Sequence, residues 1–226
     1  MILAPGPLDP PAGRLLAALA SAGAEVASDA RRLPDAGSVT IAVSTGPSGT
    51  DFAELVRGAK GRPVRALVLS RLGAHPDARD PALQRLWQLE EQVRGARLPT
   101  LTLRFGPLLG PGTPLWSKLR TRPALPRGGR QLINPVSERD VLETLRRALD
   151  GRAAWEGWFE VAGPEAWTLA ELRELAASAG RGPEPGEWEP SLAELEEHRL
   201  AESGPWMKHF GLSPERLVDA VREVVA

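Results

Sequence analysis

A chain of 226 residues with 42% hydrophobic and 25% charged side chains has the balance of a globular protein and enough length for one large domain. Its net charge of −1 excludes a general electrostatic pull toward nucleic acid or anionic membrane, and the lack of cysteine excludes disulfides, thiolate metal sites and a cysteine nucleophile. No apolar run approaches the ~20 residues of a membrane span, and the N-terminus has neither the basic region nor the apolar core of a signal peptide, so the expected location is the cytoplasm.

MILA (1–4) is a short apolar run stopped by Pro5-Gly6 and reads as a buried strand. PAGRLLAALASA (11–22) has helical spacing, with Leu15, Leu16 and Leu19 on one face and Gly23 as a stop. EVASDA (25–30) reads as a second strand, RRLPDAG (31–37) as a turn-rich connector and SVTIAVST (38–45) as a third strand. After the GPSG loop, 51–59 reads as a helix and VRALVLS (64–70) as a fourth strand. A helix over 82–95 places Leu83, Leu86, Leu89, Gln92 and Val93 near one face, and PTLTLRF (99–105) is a fifth strand.

The segment 106–130, rich in Gly, Pro and Arg, predicts an extended loop with one helical turn near Leu115–Leu119. Ser137, three residues before Asp140, predicts a helix start with a carboxylate in the first turn. WFEVAG (158–163) is a strand, and Thr168/Glu171 and Ser191/Glu194 are capping-box patterns. Ser213-Pro214 predicts the start of the last helix. Strands alternating with helices imply βα units, a mainly parallel sheet and right-handed crossovers.

Several stretches, in this order, resemble the extended and atypical short-chain dehydrogenase/reductase superfamily, in particular its NmrA-like and NAD-dependent epimerase-like branches. They are AELVRGAKGRPVRALVLSRLGAH, LEEQVRGARLPTLTLRFGPLLGPG and LINPVSERDVLETLRRAL followed by FEVAGPEAWTLAELRELAA. The resemblance spans most of 1–180. It implies an α/β fold: a Rossmann-like, mainly parallel sheet, trimmed at one edge, with a small helical C-terminal lobe. The expected organisation is a single Rossmann-like domain over 1–226, to which 106–226 contributes a loop and the lobe. The trimming follows from the seven residues between the second and third strands, where the family inserts a further strand and helices.

The departures from the family pattern bear on function. The family's G-x-x-G-x-x-G loop lets backbone approach a pyrophosphate at a helix N-terminus. Here its positions are Gly6, Asp9 and Ala12, and Pro10 and Pro11 remove two backbone donors. The loop reads either as a reshaped cofactor site or as a tight turn with proline in the first turn of the helix. Redox members use a Tyr-x-x-x-Lys pair with a Ser or Thr. This chain contains no tyrosine, and Leu83, Leu86 and Trp87 occupy the neighbourhood of the pair. Ser70 stands where the family places its hydroxyl and is the one weak catalytic candidate.

Under the resemblance, a bound NAD or NADP has Gly6, Leu8 and Asp9 beside its pyrophosphate. Asp29 holds the ribose, or Arg31 or Arg32 meets a 2′-phosphate; a solvated charged loop is the alternative reading. Ala42, Ser44 and Ser70 line the strand ends, and Phe105 to Leu108 the nicotinamide side. A chain that binds no cofactor fits the altered loop equally.

Other residues offer less. His75 follows Ser70 closely, with Asp77 or Asp80 as a third member of a triad, but an exposed loop histidine fits the same pattern. His198 and His209 have no metal-ligand spacing, and Glu194, Glu196 and Glu197 read as a solvated acidic patch. Five of the seven tryptophans (Trp155, Trp158, Trp167, Trp188 and Trp206) crowd the C-terminal part, as a small core or an interface would require. Lys118, Arg120, Arg122, Arg127 and Arg130, with Arg104 upstream, make the 106–130 segment basic. These readings lead to a degenerate superfamily member, a pseudoenzyme that binds, scaffolds or regulates through a second copy of itself or a protein partner. The alternative is an NAD(P)-binding reductase or epimerase-like enzyme with unorthodox catalytic residues.

Overall fold

The computed structural model describes residues 1–4, 8, 10–28, 37–44, 52–59, 61–110, 112–178, 190–191 and 194–219. The expected alternation is present. The chain runs β1 (Ile2–Leu3), α1 (Pro10–Ser21), β2 (Val26–Ala27), β3 (Val39–Val43), α2 (Phe52–Gly58), β4 (Val64–Arg71), α3 (Pro81–Gly95) and β5 (Thr100–Phe105). It continues with α4 (Pro114–Arg120), β6 (Leu132–Ile133), α5 (Glu138–Leu149), β7 (Trp158–Val161), β8 (Trp167–Thr168), α6 (Leu169–Ser178) and α7 (Gly204–Phe210).

Six strands form one sheet in the order β2-β1-β3-β4-β5-β7. β1 pairs in parallel with β2 and β3, and β3 with β4 through the register Val39↔Val64 to Val43↔Val68. Parallel strands covered on both faces need apolar residues at successive positions. β3 is buried along its whole length, and β4 is buried from Ala66 to Ser70. β2 ends the sheet among the described residues, in keeping with the expected trimmed edge. β6 and β8 form a separate antiparallel pair.

Backbone contacts divide the chain into two compact units, 1–104 with 146–159, and 105–145 with 160–226. In the first, Leu3, Ile41, Val43, Phe52 and Val68 from the strands and α2 pack with Leu89 and Val93 of α3. In the second, Leu115, Trp116 and Leu119 of α4 pack with Ile133, Leu169, Leu172 and Leu195.

Helix starts follow local chemistry. Asp80 caps α3 by accepting the Ala82 N–H at 2.7 Å, with Pro81 next in line. Thr113 caps α4 from the Trp116 N–H. Ser137 Oγ accepts the Asp140 N–H at 3.0 Å and donates back to the Asp140 carboxylate at 2.9 Å. The Thr168/Glu171 capping box is complete, each residue accepting the other's backbone N–H. Pro10 and Pro11 stand in the first turn of α1, where their missing N–H groups cost no intrahelical bond.

Five sequence expectations need correction. Gln92 lies outside the buried face of α3, and Glu90 lies inside it. The Ser191/Glu194 box opens a short 3-10 turn at Glu194–Glu196, not an α-helix. Glu194 itself is buried, so the acidic patch is not wholly solvated. The last helical turn begins at 217, not at Pro214. The 106–130 segment holds a 3-10 turn at Pro126–Gly129 besides the α4 helix.

Candidate functional site

In an open parallel sheet, ligands sit outside the carboxyl ends of the strands. β3 and β4 bring Ala42, Ser44 and Ser70 to that end of the first unit. The register Val43↔Val68 sets Ser44 beside Leu69, one residue short of Ser70. All three are buried. Leu8, half-buried, precedes α1 in the same unit. Gly6, Asp9, Asp29, Arg31 and Arg32 lie outside the described residues.

Ser70 is 0% exposed, and its Oγ has no hydrogen-bond partner. A buried hydroxyl without a partner costs on the order of 1–3 kcal/mol, and such a group calls for an explanation beyond packing. It makes no dyad with His75. That ring is exposed, and its Nδ1 accepts the Asp77 N–H at 3.2 Å.

The first turns of α3 are apolar on their inner face. Leu83 and Leu86 are buried against Ala74 and Ala78 of the loop that follows β4, and Trp87 packs on the same cluster. Gln84 Nε2 donates to the Ala78 carbonyl at 2.8 Å and fixes this loop on the helix. A general acid needs a titratable group within reach of its substrate. This face of α3 offers closed apolar packing instead.

Sequence reasoning missed Glu90. Its carboxylate is buried and takes three hydrogen bonds from Arg104: Nε to Oε1 at 3.0 Å and to Oε2 at 3.1 Å, and Nη2 to Oε2 at 2.5 Å. The Arg104 guanidinium also lies 4.7 Å from the centre of the Trp158 ring. Arg104 is therefore occupied within the fold. The only sequence signal was a carboxylate at an inward helical position, with arginine on the next strand. A second arginine is used in the same way. Arg65 donates from Nε to Thr40 Oγ1 at 2.8 Å and from Nη2 to the Leu149 carbonyl at 3.3 Å, with its guanidinium 4.0 Å from the Trp155 ring centre. Burial pulls its pKa below the usual arginine value.

Phe105 and Leu108 are buried in the second unit. Leu108 forms a parallel bridge with Val136, flanked by Leu109 N–H to the Val136 carbonyl at 3.0 Å and Val136 N–H to the Pro107 carbonyl at 3.1 Å. In the basic loop, Arg127, Gly128 and Gly129 are three consecutive residues at positive φ. A Cβ on Gly129 would come within 2.6 Å of Leu125, so the turn requires glycine there. Arg122 pairs with Glu174 at 3.1 Å, whereas the Arg127 and Arg130 side chains are exposed. Asp140 accepts the Glu215 N–H at 3.1 Å; burial raises its pKa, opposed by the Ser137 and Glu215 hydrogen bonds and by Arg139. No group of His, Asp and Glu able to hold a metal ion occurs among the described residues. No described helix is long and apolar enough to cross a membrane.

Comparison with solved structures decides the fold. TunA, an NAD-dependent NDP-hexosamine 5,6-dehydratase involved in tunicamycin biosynthesis, superposes with a TM-score of 0.68 at 16% identity, covering 99% of this chain and 96% of that one. The chain has the Rossmann-like fold of the NAD-dependent epimerases and dehydratases. The UDP-glucuronic acid 4-epimerase from Bacillus cereus, solved with UDP-glucuronic acid and NAD, gives 0.63 at 13% identity over 99% of this chain and 98% of that one. The Helicobacter pylori ADP-L-glycero-D-manno-heptose-6-epimerase gives 0.63 at 15% identity over 93% and 82%. No protein-family model and no curated protein matches the chain.

Proposed function

We propose that this chain is a non-catalytic relative of the nucleotide-sugar epimerases and dehydratases, a binding or regulatory protein that acts through a second copy of itself or a protein partner. The observation that carries this reading is the apolar cluster of Ala74, Ala78, Leu83 and Leu86, with Trp87, on the helix face where the resembled family keeps its proton-transferring pair. The chain has no tyrosine to supply the general acid, and its three lysines, Lys60, Lys118 and Lys208, lie outside that helix. One structural neighbour is NAD-dependent, and another was solved with NAD and UDP-glucuronic acid. NAD, or NADP, and a nucleotide-sugar are therefore the ligands to test. Leu8, Ala42, Ser44 and Ser70 would face the cofactor.

A second reading, an NAD(P)-dependent enzyme with unorthodox catalytic residues, is favoured by the partnerless hydroxyl of Ser70. One experiment separates the two. Purified protein is titrated with NAD(H), NADP(H) and UDP-sugars, followed by thermal shift and tryptophan fluorescence, and the same mixtures are assayed for hydride transfer and sugar isomerisation. A ligand present at about 100 times its Kd stabilises the folded state by about 2.7 kcal/mol. The non-catalytic reading expects no turnover, whether or not a dinucleotide binds, and a self-association or partner complex in sedimentation. Turnover that disappears in Ser70→Ala would overturn it.

A further inference from the structure

β6 is only two residues long, and one of its flanks is built from the segment that follows the Glu194–Glu196 turn. The Arg199 N–H donates to the Leu132 carbonyl at 2.8 Å, and the Asn134 N–H donates to the Arg199 carbonyl at 2.9 Å, so Ile133 and Arg199 form a parallel bridge. The Ala201 N–H donates to Asn134 Oδ1 at 3.2 Å. The remaining bond is not between backbones. The Leu132 N–H donates to the Nδ1 atom of His198 at 2.9 Å.

A ring nitrogen that accepts an N–H carries no proton of its own, so this bond requires a neutral His198 ring with its hydrogen on Nε2. Protonation would set two donors against each other across that 2.9 Å contact. The Leu132 N–H would then lose its acceptor. Histidine is the side chain whose charge changes between about pH 5 and pH 8. We infer that His198 is a pH-sensitive latch on the start of β6, whose neutral ring holds the Leu132 N–H and whose charged ring lets it go.

Among the described charges, the buried Glu194 and the exposed Glu196 stand on the preceding turn, and the others are engaged elsewhere or are cations. On its own segment Glu197 is engaged by Arg199, whose Nη1 donates to Glu197 Oε2 at 3.1 Å and to the His198 carbonyl at 3.2 Å. β6 and β8 contribute Leu132, Ile133, Trp167 and Thr168, none of them titratable in this range. Arg130, just before β6, is a cation, and the Glu171 carboxylate beyond β8 is committed to the Thr168 N–H at 2.8 Å. The bond thus belongs to the neutral ring and is lost to the charged one.

The test is amide hydrogen exchange read at single residues, expressed as protection factors so that the intrinsic pH effect on exchange is removed. In the wild-type chain the Leu132 amide should lose about tenfold in protection between about pH 7.5 and about pH 5.5, the equivalent of one net hydrogen bond. His198→Asn keeps an acceptor oxygen near the Nδ1 position and cannot titrate. It should retain Leu132 protection at both pH values. The Asp140 carboxyl and the other two histidines are present in both proteins, so a loss shared by His198→Asn would assign the effect to them and overturn the proposal. Unchanged Leu132 protection in the wild type would overturn it as well. Ring-nitrogen NMR of the wild type gives a second reading that needs no variant. A neutral His198 with its proton on Nδ1 at the higher pH would contradict the latch.

Discussion

The two units of this chain are ordered by different chemistry. In the first, β3 and β4 are continuous apolar strands, and the buried face of α3 meets them with Leu89 and Val93. In the second, strands two residues long are held by side chains that reach the backbone. Asn134 donates to the Gly163 carbonyl at 3.4 Å and accepts from Ala201, Asp140 accepts from Glu215, and the indole of Trp206 donates to Thr144 Oγ1 at 3.0 Å. The first scheme spreads its stability over area, with each CH₂ worth about 0.8 kcal/mol. The second adds to its own apolar core a few directional bonds that are expensive to leave unmade.

Substitutions can break or sharpen that contrast. The largest effect is expected at Gly163, whose N–H donates to the Pro135 carbonyl at 3.0 Å and whose missing Cβ leaves room for that same oxygen. Gly163→Ala forces backbone apart and should cost more than about 4 kcal/mol in denaturant unfolding. Leu67→Ala, in the middle of β4, removes area without stranding a polar group and should cost about 3 kcal/mol. Asn134→Ala leaves the Gly163 carbonyl and the Ala201 N–H without their partner and should cost about 2 kcal/mol. An Asn134 effect below that of a surface site would erase the distinction between the units.

Ser70→Ala inverts the expectation for a buried polar residue. Its Oγ has no partner to lose, so the variant should be as stable as the wild type or more so, by up to about 1 kcal/mol. Destabilisation there would reveal a bond that the fold does not display. The smallest effect is a slope. The Asp140 carboxyl is raised by burial, so the folded chain holds that proton in a window just above the ordinary carboxylate value, where the unfolded chain has released it. Stability from this group is present at low pH and declines as pH rises through the window. Asp140→Asn should flatten that part of the stability-versus-pH curve.

The same contrast explains what could be read in advance. Apolar runs such as VTIAV and ALVLS, bounded by Gly and Pro, announce buried strands by themselves, and the α/β alternation followed from them. β6 and β8 escaped because two residues carry no period. α7 escaped because GPWMKHF is a single short stretch opening on Gly-Pro. Glu90 was passed over because its partner, Arg104, is 14 residues away. At the site, the hydroxyl of Ser70 and the apolar face of α3 at Leu83 and Leu86 were legible from residue types alone. The burial of Phe105 and Leu108 in the second unit was not, since it depends on backbone pairing with Val136 and Val161.

The tryptophans give the chain an optical property of its own. With no tyrosine in the sequence, its near-ultraviolet emission comes from indole alone, free of energy transfer from phenol rings. Among the described indoles, those of Trp87, Trp155 and Trp158 report on the first unit and those of Trp116, Trp167 and Trp206 on the second. Trp206 is fully buried, whereas Trp158 is 51% exposed under the Arg104 guanidinium. The first should emit at the blue side of the band and resist added quenchers, and the second should emit at the red side and be quenched readily. Blue-edge emission therefore follows the burial of Trp206 in the second unit, and quenching at the red edge follows Trp158 in the first.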